Sequence, residues 1–189
     1  MKAGWIVAVL VIAVLALVVA SWYINGLNKV VRLDKEVEKQ WANVNAQLQR
    51  RNDLIPNLVE TVRGYAKHEE GVFEEVARLR SQWAGAATKE DKMESARAMD
   101  AALSRLLLVV ENYPQLRATE NFQTLQAQLE GTENRIGVER MRYNEAARAF
   151  NTYTQEVFGS FFAKQKGKTK PAPYFEPTPG AEQAPQVKF

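Results

Sequence analysis

The chain has 189 residues, 46% apolar and 25% charged, with a formal net charge of +3 at pH 7. One histidine and no cysteine exclude a thiolate nucleophile, a disulfide framework, a zinc site of Cys/His type and a histidine-rich metal site. Basic and acidic residues are interspersed along the soluble region, and no long basic stripe points to nucleic acid as a partner.

The first element is a membrane anchor. From Ala3 to Ile24 there is no charged residue, and Val, Ile, Leu and Ala dominate. At about 1.5 Å rise per residue this run reaches about 33 Å, against a hydrocarbon core of about 30 Å. A cleaved signal peptide would have a shorter apolar stretch and a small-residue cleavage site, and Ala20-Ser21-Trp22 is a poor one. Trp5 at one end and Trp22-Tyr23 at the other are the anchor's interfacial rings. Lys29, Arg32, Lys35 and Lys39 follow the span while only Lys2 precedes it. The positive-inside bias therefore places the domain in the cytoplasm, with a signal anchor of opposite orientation as the alternative.

Helices are expected almost throughout the rest. Val30, Leu33, Val37, Trp41, Val44 and Leu48 form one apolar stripe, continuing straight out of the membrane to about Arg51. Asn52 or Asp53 is the expected cap of a second helix, with Pro56 in its first turn, where the missing N–H costs nothing. Its stripe runs Ile55, Leu58, Val62, Tyr65, Glu69, Val72, Val76, Leu79, Trp83. Thr88 with Asp91 caps a third helix carrying Met93, Ala96, Met99, Leu103, Leu106 and Val110, which Tyr113-Pro114 ends. Thr119 caps a long fourth helix with Phe122, Leu125, Leu129, Thr132, Ile136, Tyr143, Ala147 and Phe150.

The expected fold is all-α: an N-terminal transmembrane helix (1–24) continuing into an antiparallel four-helix bundle (25–162), then a C-terminal tail (163–189) that is basic and then Pro-rich, disordered after Pro171. The first reversal would be a distal tip about 45 Å from the headgroups, bearing Arg50, Arg51, Asp53, Pro56 and Asn57. That motif reads either as loop hydrogen bonding or as a docking surface. Phe150 to Phe162 would return to the bilayer. Phe158, Phe161 and Phe162, followed by Lys164, Lys166, Lys168 and Lys170, are candidate lipid contacts. The competing reading packs those rings on the bundle ahead of a soluble linker. Tyr174-Phe175 could make a local contact within the tail.

Three polar residues fall in core register: Glu69, Glu133 and Arg140. Glu69 and Glu133 would share a bundle layer, with Arg140 about two turns nearer the membrane, and a cation or protonation must compensate the like carboxylates. Such a layer fixes helix register or lines a pocket. His68 lacks the second Glu-x-x-His partner that a dimetal carboxylate site needs, and there is no phosphate-binding glycine loop or nucleophile elbow. Nothing in this inventory proposes a reaction or a cofactor, so the chain reads as non-enzymatic.

The run Leu48-Gln49-Arg50-Arg51-Asn52-Asp53-Leu54-Ile55-Pro56-Asn57-Leu58-Val59, with Val62-Arg63-Gly64-Tyr65-Ala66 and His68-Glu69, closely resembles the LemA family. Tyr113-Pro114, Asn121-Phe122, Leu125-Gln126, Thr132-Glu133, Ile136, Arg140 and Tyr143-Asn144 extend the resemblance, which covers roughly residues 22–175. Leu27-Asn28 and Phe158-Gly159 stand where the family usually has Tyr-Asn and Phe-Pro. The resemblance implies an N-terminal anchor, an antiparallel helical bundle and a bacterial (inner) membrane location. One branch of the family is associated with magnetosome membrane formation and others occur beside membrane proteases. The expected role is a scaffold or adaptor in contact with membrane lipid, self-associating as a homo-oligomer or recruiting a membrane protein partner. An accessory subunit of a membrane protease or quality-control complex is the alternative.

Overall fold

The computed structural model describes residues 2–176, with side chains from residue 4. Among the described residues six helices follow one another: α1 (Lys2–Arg63), α2 (Glu70–Gly85), α3 (Lys89–Glu111), α4 (Pro114–Arg117), α5 (Glu120–Gln155) and α6 (Val157–Gln165). Among the described residues there is no strand, so the all-α class stands. The expected disorder of the tail beyond residue 176 lies outside the described residues.

The opening turns of α1 are long and apolar enough to cross a membrane, and no side chain of that window is buried. The helix then runs on without interruption past the expected reversal at Asn52-Asp53, and Pro56 lies inside it. The stripe explains why: Leu48, Ile55, Leu58 and Val62 stay at helical spacing on one buried face. The chain instead reverses over residues 64–69, where Tyr65 and Ala66 donate to the Val62 carbonyl at 3.0 and 2.9 Å. The first helix is therefore 62 residues long, and the one after the reversal only 16.

The remaining boundaries follow local chemistry. Thr88 Oγ1 accepts from the Asp91 N–H at 3.0 Å and starts α3. Pro114 opens the single turn of α4 and so separates α3 from α5. Thr119 Oγ1 accepts from the Phe122 N–H at 3.4 Å at the head of α5.

Two compact units divide the chain. One spans Ala42–Arg142 and the segment from Pro173. Its core joins Ile55, Leu58 and Val62 of α1, Phe73, Val76 and Leu79 of α2, Met99, Leu103 and Leu106 of α3, and Phe122 and Leu129 of α5. Each such side chain contributes on the order of 1.5–3 kcal/mol when fully withdrawn from water. The other unit combines the chain up to Trp41 with Tyr143–Ala172. There Val30 and Val37 of α1 are buried, as are Tyr143, Ala147, Phe150 and Tyr153 of α5, and the Trp41 and Tyr143 rings meet edge-on at 5.7 Å.

Candidate functional site: a buried arginine cluster and an aromatic collar

In the unit built from Ala42–Arg142, α1 brings Arg51 inward, leaving it 2% exposed. Its Nη1 donates to Asp100 Oδ1 of α3 and, at 3.2 Å, to Glu133 Oε1 of α5. Its Nη2 donates to the Ala96 carbonyl at 3.2 Å. Arg140, two turns further along α5, donates from both Nη1 and Nη2 to Asp100 Oδ2 at 3.2 Å. Its guanidinium also stands 5.1 Å from the centre of the Phe175 ring. Two guanidinium and two carboxylate groups thus neutralise one another, and Asp100 is the shared partner. A buried arginine needs such saturation, because a lone charge out of water costs several kcal/mol.

Beside this cluster a cleft of about 380 Å³ opens between α3 and α5, lined by Asp100, Leu103, Leu107, Leu129, Glu130 and Glu133. Among the described residues no group of three or more His, Asp or Glu side chains could hold a metal ion. The carboxylates face guanidinium groups rather than a nucleophile, so the chemistry on view is charge pairing that ties three helices.

The second constellation lies in the other unit, where α1 leaves its apolar span. Trp22 packs edge-on against Phe158 at 5.4 Å and Phe162 at 5.1 Å, and Tyr23 against Phe161 at 6.4 Å and Phe162 at 5.8 Å. Phe162 is 2% exposed and lies so close to Gly26 that a Cβ there would fall onto its ring. Tyr153 Oη donates to the Gly26 carbonyl at 3.4 Å, and Lys29 Nζ sits 4.2 Å over the Tyr153 ring. Burial, and then the charge of Glu156, push the Tyr153 phenol above its usual value. Glu156 is extended and gives α6 no side-chain cap.

With this geometry in view, comparison with known proteins is decisive for kinship. The LemA family model matches residues 40–189. The chain belongs to the LemA family. Two relatives, Magnetosome protein MamQ 1 and Magnetosome protein MamQ 2 of Paramagnetospirillum magneticum (strain ATCC 700264 / AMB-1), are each 24% identical over 206 aligned residues. Those alignments cover 95% of this chain and 75% of each relative.

The LemA-characteristic residues land in unexpected places. Arg50 is exposed, whereas Arg51 is the buried centre of the cluster. Asp53 accepts from Gln49 Nε2 at 2.7 Å, and the Asn57 carbonyl accepts from Thr61 Oγ1 at 2.8 Å. Arg50, Arg51, Asp53, Pro56 and Asn57 are all mid-helix, so the expected distal tip is corrected to a stretch of α1. Glu69 precedes α2 at the reversal instead of lying within a helical stripe. Glu133 and Arg140 do join one cluster, through Asp100 and Arg51. Asp100 was missed in sequence, although its spacing after Ala96 and before Leu103 sets it beside the α3 stripe.

Among the candidate lipid contacts, Phe162 is buried against α1 and Lys168 pairs with Asp34 at 2.8 Å. Phe158 and Phe161 remain 63% and 46% exposed, and Lys164, Lys166 and Lys170 are exposed. Trp5 is exposed within the apolar span. The local contact expected of Tyr174-Phe175 is made by Phe175, which is buried, while Tyr174 is exposed.

Proposed function

We propose that the protein is a membrane-anchored, non-enzymatic scaffold or adaptor that self-associates or recruits partners at the bacterial membrane. The observation that carries this reading is that one helix supplies both the apolar span and the Leu48, Ile55, Leu58 and Val62 face of the helical core. A domain whose core helix is the continuation of its anchor is held at the bilayer surface. The interior chemistry supports the same reading, since the buried charges of Arg51, Asp100, Glu133 and Arg140 are spent on one another. The two relatives carry the name of magnetosome proteins, which supports a role in organising a membrane-associated structure. The excess of Lys and Arg after the span argues for a cytoplasmic bundle on a single-pass inner-membrane anchor.

Cross-linking in native membranes tests the self-association. The sequence has no cysteine, so Met141→Cys, at a position 67% exposed, introduces a single thiol. Dimers or larger adducts of this chain, or one reproducible adduct with another membrane protein, are expected. A chain that stays unlinked at this and at a second exposed position, Leu108→Cys, contradicts the reading.

A further inference from the structure

The helix α6 has two apolar faces, one buried and one left largely in the open even though Phe158 and Phe161 on it touch the edges of Trp22 and Tyr23. Gly159, Phe162 and Ala163 are buried, and the Phe162 ring is held by Trp22 and Tyr23 of α1. Val157, Phe158 and Phe161 lie on a different arc of the same helix and are 81%, 63% and 46% exposed. A short helix apolar on both sides requires an apolar surrounding for its outer face. The inner face fixes where that surrounding must be, because Trp22, Tyr23 and Gly26 are the residues at which the uncharged span of α1 ends. At that level lies the headgroup and acyl boundary of the bilayer, where aromatic rings partition well.

The charges agree. Lys164 is exposed in the last turn of α6 and Lys166 just after it, and Lys170 follows, also exposed. At the start of α6 a crevice of about 400 Å³ is walled by Trp22 and Phe158 and edged by Lys29 and Arg32, with Glu156 the one acidic group lining it. The first backbone N–H groups of α6 point toward a helix terminus that Glu156 leaves without a side-chain cap, the end of a helix that favours an anion. Two cations, aromatic walls and a helix N-terminus at the level of the headgroups match an anionic phospholipid: its phosphate between Lys29 and Arg32, its acyl chain along Trp22 and Phe158.

We propose that α6 is an in-plane membrane helix, and that with the crevice at its N-terminal end it forms an anionic-phospholipid site beside the transmembrane span. This rests on reading the N-terminal apolar run of α1 as a membrane span, and the experiment separates the two. Full-length protein carrying one spin label is reconstituted in lipid discs of phosphatidylcholine, with or without phosphatidylglycerol. Labels replace Val157→Cys or Phe161→Cys on α6, Ile12→Cys in the span, and Glu145→Cys on an exposed turn of α5. Accessibility to dissolved oxygen and to a water-soluble nickel chelate reports immersion.

In discs containing phosphatidylglycerol, labels at 157 and 161 are expected to show a several-fold higher oxygen-to-nickel ratio than the label at 145. The ratio should fall toward the value at 145 in pure phosphatidylcholine, and also in Lys29→Gln/Arg32→Gln. Aqueous values at 157 and 161 with Ile12 immersed overturn the proposal and leave the span intact. An aqueous Ile12 overturns both. Shielding of 157 and 161 from both reagents means that protein covers the face, which also overturns the proposal. Immersion indifferent to phosphatidylglycerol and to the Lys29/Arg32 substitutions removes the anionic-lipid site.

Discussion

Arg80 Nε of α2 donates to the backbone carbonyl of Asn52 at 3.3 Å. In a regular helix that carbonyl would accept from the residue four positions on, which here is Pro56 and has no N–H. Asn52 is itself 6% exposed, so water is a poor substitute. A side chain from the neighbouring helix thus replaces the bond that proline removes, and α1 continues to Arg63.

Arg80→Ala should therefore cost about 1–3 kcal/mol, the range for stranding a buried acceptor. Pro56→Ala restores the backbone donor, so the same Arg80→Ala change should cost much less in that background. Chemical denaturation in mild detergent of the wild type, both single variants and the double variant checks this. An equal cost in both backgrounds contradicts the relationship.

The Asn52–Pro56 region also marks where sequence and structure part. Thr88, Thr119 and Tyr113-Pro114 were legible because each acts on its own backbone within three or four residues. Asn-Asp followed by Pro carries an equally good local signal for a helix start. It loses to Arg80, a donor 28 residues away in sequence that no local pattern announces.

Arg51→Leu should destabilise the fold by about 3–5 kcal/mol, because it takes the guanidinium away from Glu133 and leaves Asp100 with Arg140 alone. Glu133 keeps 38% of its side chain in solvent, which holds the cost to the lower part of that range. Arg140→Leu should cost less, since Arg51 still holds Asp100. Denaturant midpoints of the two variants give the order. The reverse order would mean that Arg140 carries the cluster.

That cluster was half legible. Glu133 and Arg140 declared themselves as charges in an apolar stripe. Arg51 did not, because a reversal at Asn52 put it on a tip rather than in a core, and the same displacement put Glu69 inside a helix when it precedes one. One misplaced turn moved every residue whose depth was counted from it.

Gly159→Ala should weaken the seating of α6 by about 1–3 kcal/mol, since a Cβ there would fall onto the Tyr153 carbonyl, which is backbone and cannot rotate away. Gly71→Ala, with open space around it, serves as the neutral control. Limited proteolysis after Gln155 should accelerate in the first variant and not in the second; equal rates would contradict the close approach.

Tyr153 gives a pH dependence with a definite sign. Its phenol is raised above 10.0 in the folded chain, first by burial and then by Glu156. The folded state therefore holds the proton more tightly than the unfolded state. The resulting contribution is intact below pH 10.0 and is lost as pH rises through the raised folded value. Between pH 9 and 11 the wild type should lose more stability than Tyr153→Phe, which cannot ionise. Parallel losses in thermal melts of the two proteins would refute the burial of the hydroxyl.

The collar illustrates a different limit of sequence. The aromatic run from Phe158 to Phe162 was legible as apolar material returning to α1, but two destinations for it stood open. The structure divides the run: Phe162 is buried among Gly26, Trp22 and Tyr23, while Phe158 and Phe161 only touch the edges of those rings and stay largely exposed. Such a split depends on which side of α6 meets α1, and the break at Glu156 that sets it has no proline or glycine to announce it.

The scaffold reading stands or falls on what the full-length protein assembles into. Particle mass in native lipid discs, extracted without prior detergent, measures that most directly. The expected result is a discrete homo-oligomer or a stoichiometric complex with another membrane protein. A uniform population of partner-free monomers would contradict it.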